Sequence, residues 1–419
     1  MGAAYDSSES DTRMVCLDGT RKSQLKRIAD WALDPSPQNP PVLWLAGDTG
    51  AGKTSIAQTI AQSCALHHRL AASFFFKSGD PLRSKADSVI PTLALQISAA
   101  DPTGKRVIEE GLTHDPLLLE YKNWATQFST LIYRPLYSVH STRHHRTPLI
   151  IVIDALDECD DYDRLHAVLH AMTDVLARQP SPIRLLLTSR PELHVVSFFR
   201  GISPHIYEEI QLKPDEEAIE DVLRYLHHEF RRIRNKHSDI FLGMDEWPSQ
   251  SAISWIADKA SGHFIYAATV MRFLDDDWEN PADALDYIRG HLHPWNKSLP
   301  PFYELDQLYL VILRRAEARG NLSNLLQFLV LYSSRGRALV ELHSEYDAIA
   351  RALNLKIEGV ILLHRNLQSL IGPIGSPFRA NVTGFLHQSF YDFLFDPQRA
   401  QEFFIGGKEH TLYFRHLIW

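Results

Sequence analysis

The sequence predicts an α/β protein with a doubly wound parallel sheet, followed by a mostly helical second half. Up to about residue 212, short and nearly continuous apolar runs alternate with amphipathic stretches, which is typical of parallel strands covered on both faces. After Lys213-Pro214 strand-like runs almost vanish. The chain has 419 residues, 45% hydrophobic and 22% charged, a composition and length that favour roughly two to four globular domains.

The elements of the predicted sheet can be read off in chain order. Its strands are Val42–Ala46, Ala71–Phe76, Leu149–Asp154, Ile183–Thr188 and His205–Leu212. Between them, Thr54–Leu66 and Ser84–Ser98 place apolar residues on one helical face. Strands that alternate with helices in this way predict a doubly wound domain. The polar residues 1–14 that precede it are expected to form a flexible tail.

The second half is predicted to begin with a clean amphipathic helix over Asp215–Ile233, with Asp215 as its N-cap. Ser251–Leu274 is a second helical stretch, interrupted at Gly262. Asp275–Pro301 is rich in Asp, Pro and Trp and is predicted to be a connector. The rest is expected to be mostly helical, with a hairpin near Gly372–Phe385 marked by Gly and Pro.

The first strand leads into Gly47-Asp48-Thr49-Gly50-Ala51-Gly52-Lys53-Thr54, which has the G-x-x-x-x-G-K-[ST] spacing of a phosphate loop. Glycines let backbone N–H groups approach the phosphates, and the following helix adds its positive end. Lys53 supplies a charge to the outer phosphates and Thr54 a hydroxyl to Mg²⁺. We expect residues 47–55, including Ser55, to bind nucleotide, and a glycine-rich turn without ligand is the alternative.

Besides Thr54, the Mg²⁺ ion needs a ligand from a second part of the chain. Asp154 ends a hydrophobic strand, which is the Walker B pattern, and is predicted to bind Mg²⁺ together with Thr54. Glu158 is the preferred candidate for the base that polarises the attacking water, with Asp157 second. The alternative is that Asp157 and Glu158 belong only to a solvated loop.

The fourth strand ends at Leu187-Thr188-Ser189-Arg190. Thr188 or Arg190 could sense the γ-phosphate, and the Arg190 guanidinium could stabilise the transferring charge. The alternative is that these residues form only a helix cap and a surface arginine. About a hundred residues separate the phosphate loop from the Walker B strand, which favours the ATPase (ASCE) arrangement with an extra central strand.

Charge and cysteine content exclude some classes. The chain has 43 Lys and Arg against 51 Asp and Glu, a net charge of −8, so we expect no nucleic acid among its partners. No apolar run reaches the ~18 residues of a membrane span. Three separated cysteines fit neither a disulfide framework nor a zinc module. These features favour a reducing, cytoplasmic location.

Several of these segments together resemble a known family. They are Cys16–Arg21, the GDTGAGKT loop, the strand ending in Asp154 with Leu156-Asp157-Glu158, and Thr188–Glu192. The chain resembles the NACHT domain of STAND signalling ATPases, in the style of fungal NOD-like receptors. Ala260–Ala268 is similar to the family's helical-domain signature, with His263 in place of an apolar residue, and Phe385–Leu394 is similar to its winged-helix end.

The resemblance implies domains at 15–213 (nucleotide-binding), 214–300 (helical, with connector) and 301–419 (winged helix). It implies ADP in a closed state, ATP in an open one, and homo-oligomers on exchange, with further protein partners unknown. Gly19, Thr20 and Arg21 match the stretch over the adenine, and His387 matches the histidine that touches the β-phosphate of ADP. The predicted winged helix is expected to serve packing.

The predicted function is therefore an ATP/ADP switch with slow, Mg²⁺-dependent hydrolysis, in fungal innate immunity or self/non-self recognition. A turnover ATPase of the remodelling type and a non-hydrolysing scaffold are the alternatives. Full-length relatives carry an effector domain and repeats. The chain is then either a fragment or a short form that relies on partners.

Overall fold

The structure is a computed structural model that describes residues 2–6, 15–78, 80–142, 147–178, 181–243, 246–292, 301–333, 345–372 and 385–406. The chain divides into two compact units. The first comprises Met1–Asp48 and Gly52–Lys213, and the second comprises Thr49–Ala51 and Pro214–Trp419. The main division falls where the sequence loses its strand-like runs.

The first unit is built on a five-stranded sheet in the described part of the chain. Its strands are β1 (Val42–Gly47), β2 (Leu70–Phe75), β3 (Leu149–Asp154), β4 (Ile183–Ser189) and β5 (Tyr207–Leu212). All pair in parallel, in the order β2-β3-β4-β1-β5. The predicted parallel α/β sheet is confirmed. The strand β4 lies between the two motif-bearing strands β1 and β3, which is the extra central strand that the spacing favoured.

Burial explains the strand positions. Every residue of β1, β3 and β4 is buried, whereas β5 alternates between covered and exposed residues. Continuous apolar runs need cover on both faces, and an alternating strand suits the sheet edge that β5 occupies. Trp44 of β1 stacks on Phe199, with ring centroids 4.2 Å apart.

Helices cover the sheet. They are α1 (Lys22–Leu33), α2 (Lys53–Leu66), α3 (Val89–Ala100), α4 (Pro102–His114), α5 (Leu118–Tyr121), α6 (Trp124–Phe128), α7 (Arg134–Ser141), α8 (Tyr162–Ala177) and α9 (Leu193–Gly201). The predicted helix at Ser84–Ser98 begins later than expected, because a 3₁₀ turn occupies Ala86–Ser88 before α3.

Part of the predicted flexible tail has defined contacts. The amide of Phe75 on β2 donates to the carbonyl of Ala3 at 2.9 Å. The amide of Tyr5 donates to Ser73 Oγ at 2.9 Å, and Gln58 Nε2 donates to the Tyr5 carbonyl at 2.6 Å. Residues 2–6 thus lie against the exposed edge of β2, which corrects the tail expectation for those residues; residues 7–14 lie outside the described part.

The regular elements in the described part of the second unit are helices, apart from one isolated bridge. Its helices are α10 (Glu216–Lys236), α11 (Gln250–Ala260), α12 (Phe264–Leu274), α13 (Pro281–His291), α14 (Pro301–Ala318), α15 (Leu322–Ser333), α16 (Glu345–Leu353), α17 (Ile357–Asn366), α18 (Gln388–Leu394) and α19 (Pro397–Ala400). Asp215 caps α10, since its side chain accepts from the amide of Ala218 at 2.9 Å.

One helix lies where a connector was predicted. Asn280 Oδ1 accepts from the amide of Ala282 at 2.9 Å, and Pro281 is the first residue of α13. Ala284, Leu285 and Ile288 are buried along one face of this helix. The Asn-Pro start is a helix signal that outweighs the connector-like composition of the segment.

The predicted hairpin is described only at its base. Ile371 and Phe385 form an antiparallel bridge, and residues 373–384 lie outside the described part. The helix that precedes this bridge in the chain is α17, which ends at Asn366. The winged helix itself stays a prediction.

Candidate functional site

The phosphate loop joins the end of β1 to the start of α2. Gly50 and Gly52 have φ values of +77° and +90°, in the left-handed region that side chains disfavour. Gly52 is the N-cap of α2, so the helix starts at Lys53. The loop therefore presents the positive end of a helix directly after a strand, the arrangement that binds phosphate.

Lys53 folds back over its own loop. Its Nζ donates to the carbonyl oxygens of Gly47 at 2.7 Å and Asp48 at 3.0 Å. Burial lowers the pKa of Lys53 from its ordinary value, and the carboxylates of Asp157 and Asp154 oppose that shift. The ammonium thus lies at the loop with carboxylates nearby, positioned for an anionic ligand.

Asp154 ends β3 and is 2% exposed. Thr188 Oγ1, on the adjacent strand β4, donates to Asp154 Oδ1 at 2.5 Å. The amide of Ala155 in turn donates to Thr188 Oγ1 at 3.0 Å. Burial raises the pKa of Asp154 to about 6, against hydrogen bonds from Thr188 and Thr54 that lower it. The structure therefore brings the two predicted metal ligands, Thr54 and Asp154, into hydrogen-bond contact.

Glu158 lies just beyond, on a 3₁₀ turn at Leu156–Glu158 that follows Ala155 in the left-handed region, φ 60°. Its Oε2 accepts from the amide of Ser78 at 2.9 Å, and its side chain is half-buried. Burial raises the pKa of Glu158 to about 7. A carboxylate with that pKa and partial exposure can accept a proton near neutral pH.

Asp157 has a different environment from Glu158. Its Oδ1 accepts from the amide of Arg190 at 2.9 Å, and its Oδ2 accepts from Arg190 Nε at 2.6 Å. Both oxygens are thus engaged by one residue at the end of β4. This arrangement suits Asp157 to holding Arg190 in place and makes it a poorer proton acceptor than Glu158.

A residue without an assigned role in the sequence reasoning also belongs to this group. Glu192 Oε1 lies 3.2 Å from Arg190 Nη2, so the guanidinium lies between two carboxylates. His194 Nδ1 is 3.6 Å from Glu192 Oε2, and the His194 ring stacks on Tyr162 with centroids 3.7 Å apart. The cue in the sequence was the short spacing of Arg190, Glu192 and His194 immediately after a strand.

The predicted adenine-side stretch lies beside α2. The amide of Cys16 donates to Thr59 Oγ1 of α2 at 2.9 Å. Thr20 is 2% exposed and its hydroxyl donates to the Leu17 carbonyl at 2.7 Å. Gly19 and Arg21 have φ values of +89° and +53°, and Arg21 is buried at the start of α1. Their contact with a base stays a prediction.

His387 belongs to the second unit, where it is the N-cap of α18. Its Nδ1 accepts from the amide of Ser389 at 3.1 Å and lies 2.6 Å from Ser389 Oγ. Ser389 Oγ also lies 2.7 Å from the hydroxyl of Tyr309. The structure thus gives His387 a capping role, and its assignment to ADP stays a prediction.

The first-unit residues fit a nucleotide with Mg²⁺. Among the described residues no group of three or more His, Cys, Asp or Glu side chains could hold a metal by itself. Thr54 and Asp154 offer oxygen donors only, as Mg²⁺ prefers when phosphates complete its shell. Bound Mg²⁺ would neutralise phosphate charge there, while Lys53 would bind the outer phosphates and Glu158 would accept the proton of the attacking water.

The part of the chain that carries this site is similar to a known family. Residues 19–190 match the family described as Nephrocystin 3, N-terminal. That span begins at Gly19 and ends at Arg190 and includes the phosphate loop and Asp154. The chain has the fold of a P-loop NTPase. No curated protein matches the chain.

The solved structures that match this chain have low identity to it and TM-scores under 0.5. Drosophila ORC bound to DNA shares 13% identity at a TM-score of 0.40, covering 86% of this chain and 83% of that one. Aeropyrum pernix ORC1 in complex with DNA shares 12% identity at a TM-score of 0.36, and the match covers 96% of this chain and 96% of that one. Cdc6p from Pyrobaculum aerophilum shares 13% at 0.39, covering 88% and 91%.

One partner prediction needs correction. Charge balance led to the expectation of no nucleic acid among the partners, yet two of these similar structures were solved bound to DNA. The prediction that nucleic acid is not a partner was wrong, because the net charge is an average over the whole chain and does not describe local surfaces. In the described part of the chain, no helix is long and apolar enough to cross a membrane.

Proposed function

We propose that the chain is a nucleotide-controlled switch that binds ATP and ADP and hydrolyses ATP slowly with Mg²⁺. The observation that carries this proposal is the group formed by Lys53, Thr54, Asp154 and Glu158 at the carboxyl ends of β1 and β3. It combines a phosphate cradle, two adjacent oxygen donors and a carboxylate whose pKa is raised to about 7.

The contacts of Arg190 support slow turnover. Its Nε and its backbone amide are bound by Asp157, and its Nη2 lies beside Glu192. A guanidinium held by two carboxylates must exchange contacts before it can stabilise a transferring phosphoryl group. A switch needs long-lived nucleotide states, whereas a turnover ATPase needs this arginine ready in every cycle.

The coupling to domain opening and oligomerisation, and a role in fungal innate immunity or self/non-self recognition, rest on the resemblance to NACHT domains. His387 is the residue that this resemblance assigns to the closed, ADP-bound state. Because His387 also caps α18, His387→Asn is the suitable test variant, since asparagine is a good N-cap. It should loosen ADP without lowering the thermal midpoint, and unchanged ADP affinity would remove the proposed lock.

The deciding experiment is mass spectrometry of nucleotide released from the purified chain, followed by calorimetric binding of Mg–ADP and Mg–ATP. Released ADP and slow hydrolysis support the switch. In Lys53→Ala, loss of one charge-assisted contact to phosphate should weaken binding by roughly 10- to 100-fold. Lys105→Ala, an exposed lysine of α4 paired with Glu109, is the matched control.

Wild-type affinity in Lys53→Ala would contradict the site assignment. Release of guanine nucleotide instead of ADP would support the assignment of the phosphate-binding residues and would show that the nucleobase is guanine. A rapid steady-state rate would favour the turnover ATPase.

A further inference from the structure

We propose that the second unit binds a small, flat anion in a cavity of its own. The cavity has a volume of about 440 Å³, within the range of small-molecule sites. It lies between the α12–α13 connection, which carries Trp278 and Glu279, and the ends of α14 and α17, which carry Arg315, Arg319 and Arg365. It shares no residue with the phosphate loop, so the inference goes beyond the proposed switch.

Charge is the first argument for an anion. Arg315 Nη2 donates to Glu279 Oε2 at 2.6 Å, and Arg319 Nη1 donates to the other oxygen of the same carboxylate. The side chains of Arg315 and Glu279 are 15% and 14% exposed. Two guanidiniums on one carboxylate leave a positive excess in a partly desolvated place, where an anion gains more than in water.

Arg365 adds a third positive charge. Its guanidinium carbon lies 4.9 Å from the centroid of the Trp278 ring, and no ion pair involves it among the described residues. Asp283 is the second acidic residue of the lining, so three arginines face two carboxylates. The lining of the cavity therefore carries one more positive than negative charge in a chain whose overall charge is −8. Asp276, which is not part of the lining, also interacts with Arg315, so the arginines attract an anion at the face that they present to the cavity.

An unused donor is the second argument. Asn366 Oδ1 accepts from Arg319 Nη1 at 3.3 Å. The Nδ2 atom of Asn366 is buried and has no hydrogen-bond partner among the described residues. A buried donor without an acceptor destabilises the folded chain. Because Asn366 is one of the residues that line the cavity, we expect an anionic oxygen bound deep in it to reach this donor as well as the neighbouring arginines.

The shape of the cavity edge favours a flat ligand. Trp278 is 72% exposed at the edge of the cavity, although its backbone amide is fixed by Asp276 Oδ1 at 2.9 Å. A large exposed ring on a fixed backbone, with a guanidinium on it, is a platform for a second flat group. The ligand class that uses both features is a ring that carries a phosphate or a carboxylate.

Calorimetry on the full chain tests this, with the phosphate loop saturated by Mg–ADP so that it does not compete. The probe is phenyl phosphate, with benzoate, inorganic phosphate and phenol as comparison arms. We expect phenyl phosphate to bind at least about tenfold tighter than inorganic phosphate or phenol. Benzoate distinguishes a carboxylate from a phosphate source. No saturable binding of either ring-bearing anion would overturn the proposal.

Variants locate the binding. Arg365→Gln and Trp278→Ala should each weaken phenyl phosphate binding about tenfold, whereas Arg365→Lys and Trp278→Phe should retain most of it. Arg231→Gln, which removes an exposed charge from α10, is the matched control. Equal affinity in the wild type and Arg365→Gln would overturn the site. Mg–ADP affinity measured in the same variants separates failure of this inference from failure of the proposed switch.

Discussion

Buried charges have different partners in the two units. In the first unit, Asp154 at the end of β3 and Glu158 on the 3₁₀ turn after it have pKa values raised to about 6 and about 7, because burial is not fully compensated there. In the second unit, Lys259 pairs with Glu304, both at most 5% exposed. Arg399 binds Asp306 through two hydrogen bonds of 2.8 and 3.0 Å.

The difference separates charges that are available to a ligand from charges that are used by the fold. Carboxylates whose burial is not compensated reduce the stability of the fold, but they can bind and release protons near neutral pH. This combination is typical of functional sites. Paired charges between helices fix how the helices pack. Variants of both kinds of charge test that distinction.

Glu158→Gln should lower the rate of ATP hydrolysis by about 10²–10⁴-fold, since it removes the proton acceptor. The wild-type rate should rise with pH through about 7, where Glu158 loses its proton. Phosphate release under saturating Mg–ATP measures both. Glu109→Gln, 63% exposed on α4, is the control. Equal rates in wild type and Glu158→Gln would exclude this base.

Lys259→Met should destabilise the second unit by roughly 3–5 kcal/mol, because it leaves the Glu304 carboxylate buried without its partner. The double variant Lys259→Met/Glu304→Leu should recover most of this loss. Thermal unfolding measures both. Arg314→Met removes one member of an exposed pair in the same unit and should change stability by less than about 1 kcal/mol. A Lys259→Met variant as stable as the wild type would show that the pair is not structural.

Glu192→Gln should tighten Mg–ATP binding several-fold, because one carboxylate no longer competes with the γ-phosphate for Arg190. Calorimetric titration measures the change, and Glu209→Gln on β5 serves as control. Weaker binding in Glu192→Gln would instead show that Glu192 orients Arg190 toward the nucleotide.

Glu158→Gln should also stabilise the nucleotide-free chain above neutral pH. The folded pKa of about 7 lies above the ordinary 4.5. Ionising Glu158 therefore costs stability as pH rises through that window. The difference in thermal midpoint between variant and wild type should be small near pH 4.5, grow up to pH 7 and stay constant above it. A constant difference at all pH values would contradict the raised pKa.

Local patterns predicted much of the first unit. The strands β1, β3 and β4 came from continuous apolar runs, and the phosphate loop from its spacing between a strand and a helix. Residues 102–141, which hold α4 to α7, carried no expectation, because their short helices depend on tertiary cover more than on periodicity. The helix α13 was missed because composition was weighed above its Asn-Pro start.

Local patterns were enough to predict the phosphate loop, the acidic end of β3 and the strand-rich and helical halves, because these features depend on residue type at fixed local spacing. The folded chain was needed to establish that Thr188 binds Asp154 and that Asp157 and Glu192 hold Arg190. It also showed that three arginines meet at a cavity beside Trp278. Apart from the Arg190–Glu192 pair, these contacts join side chains from separate elements of the chain, and the packing of those elements sets the distances between them.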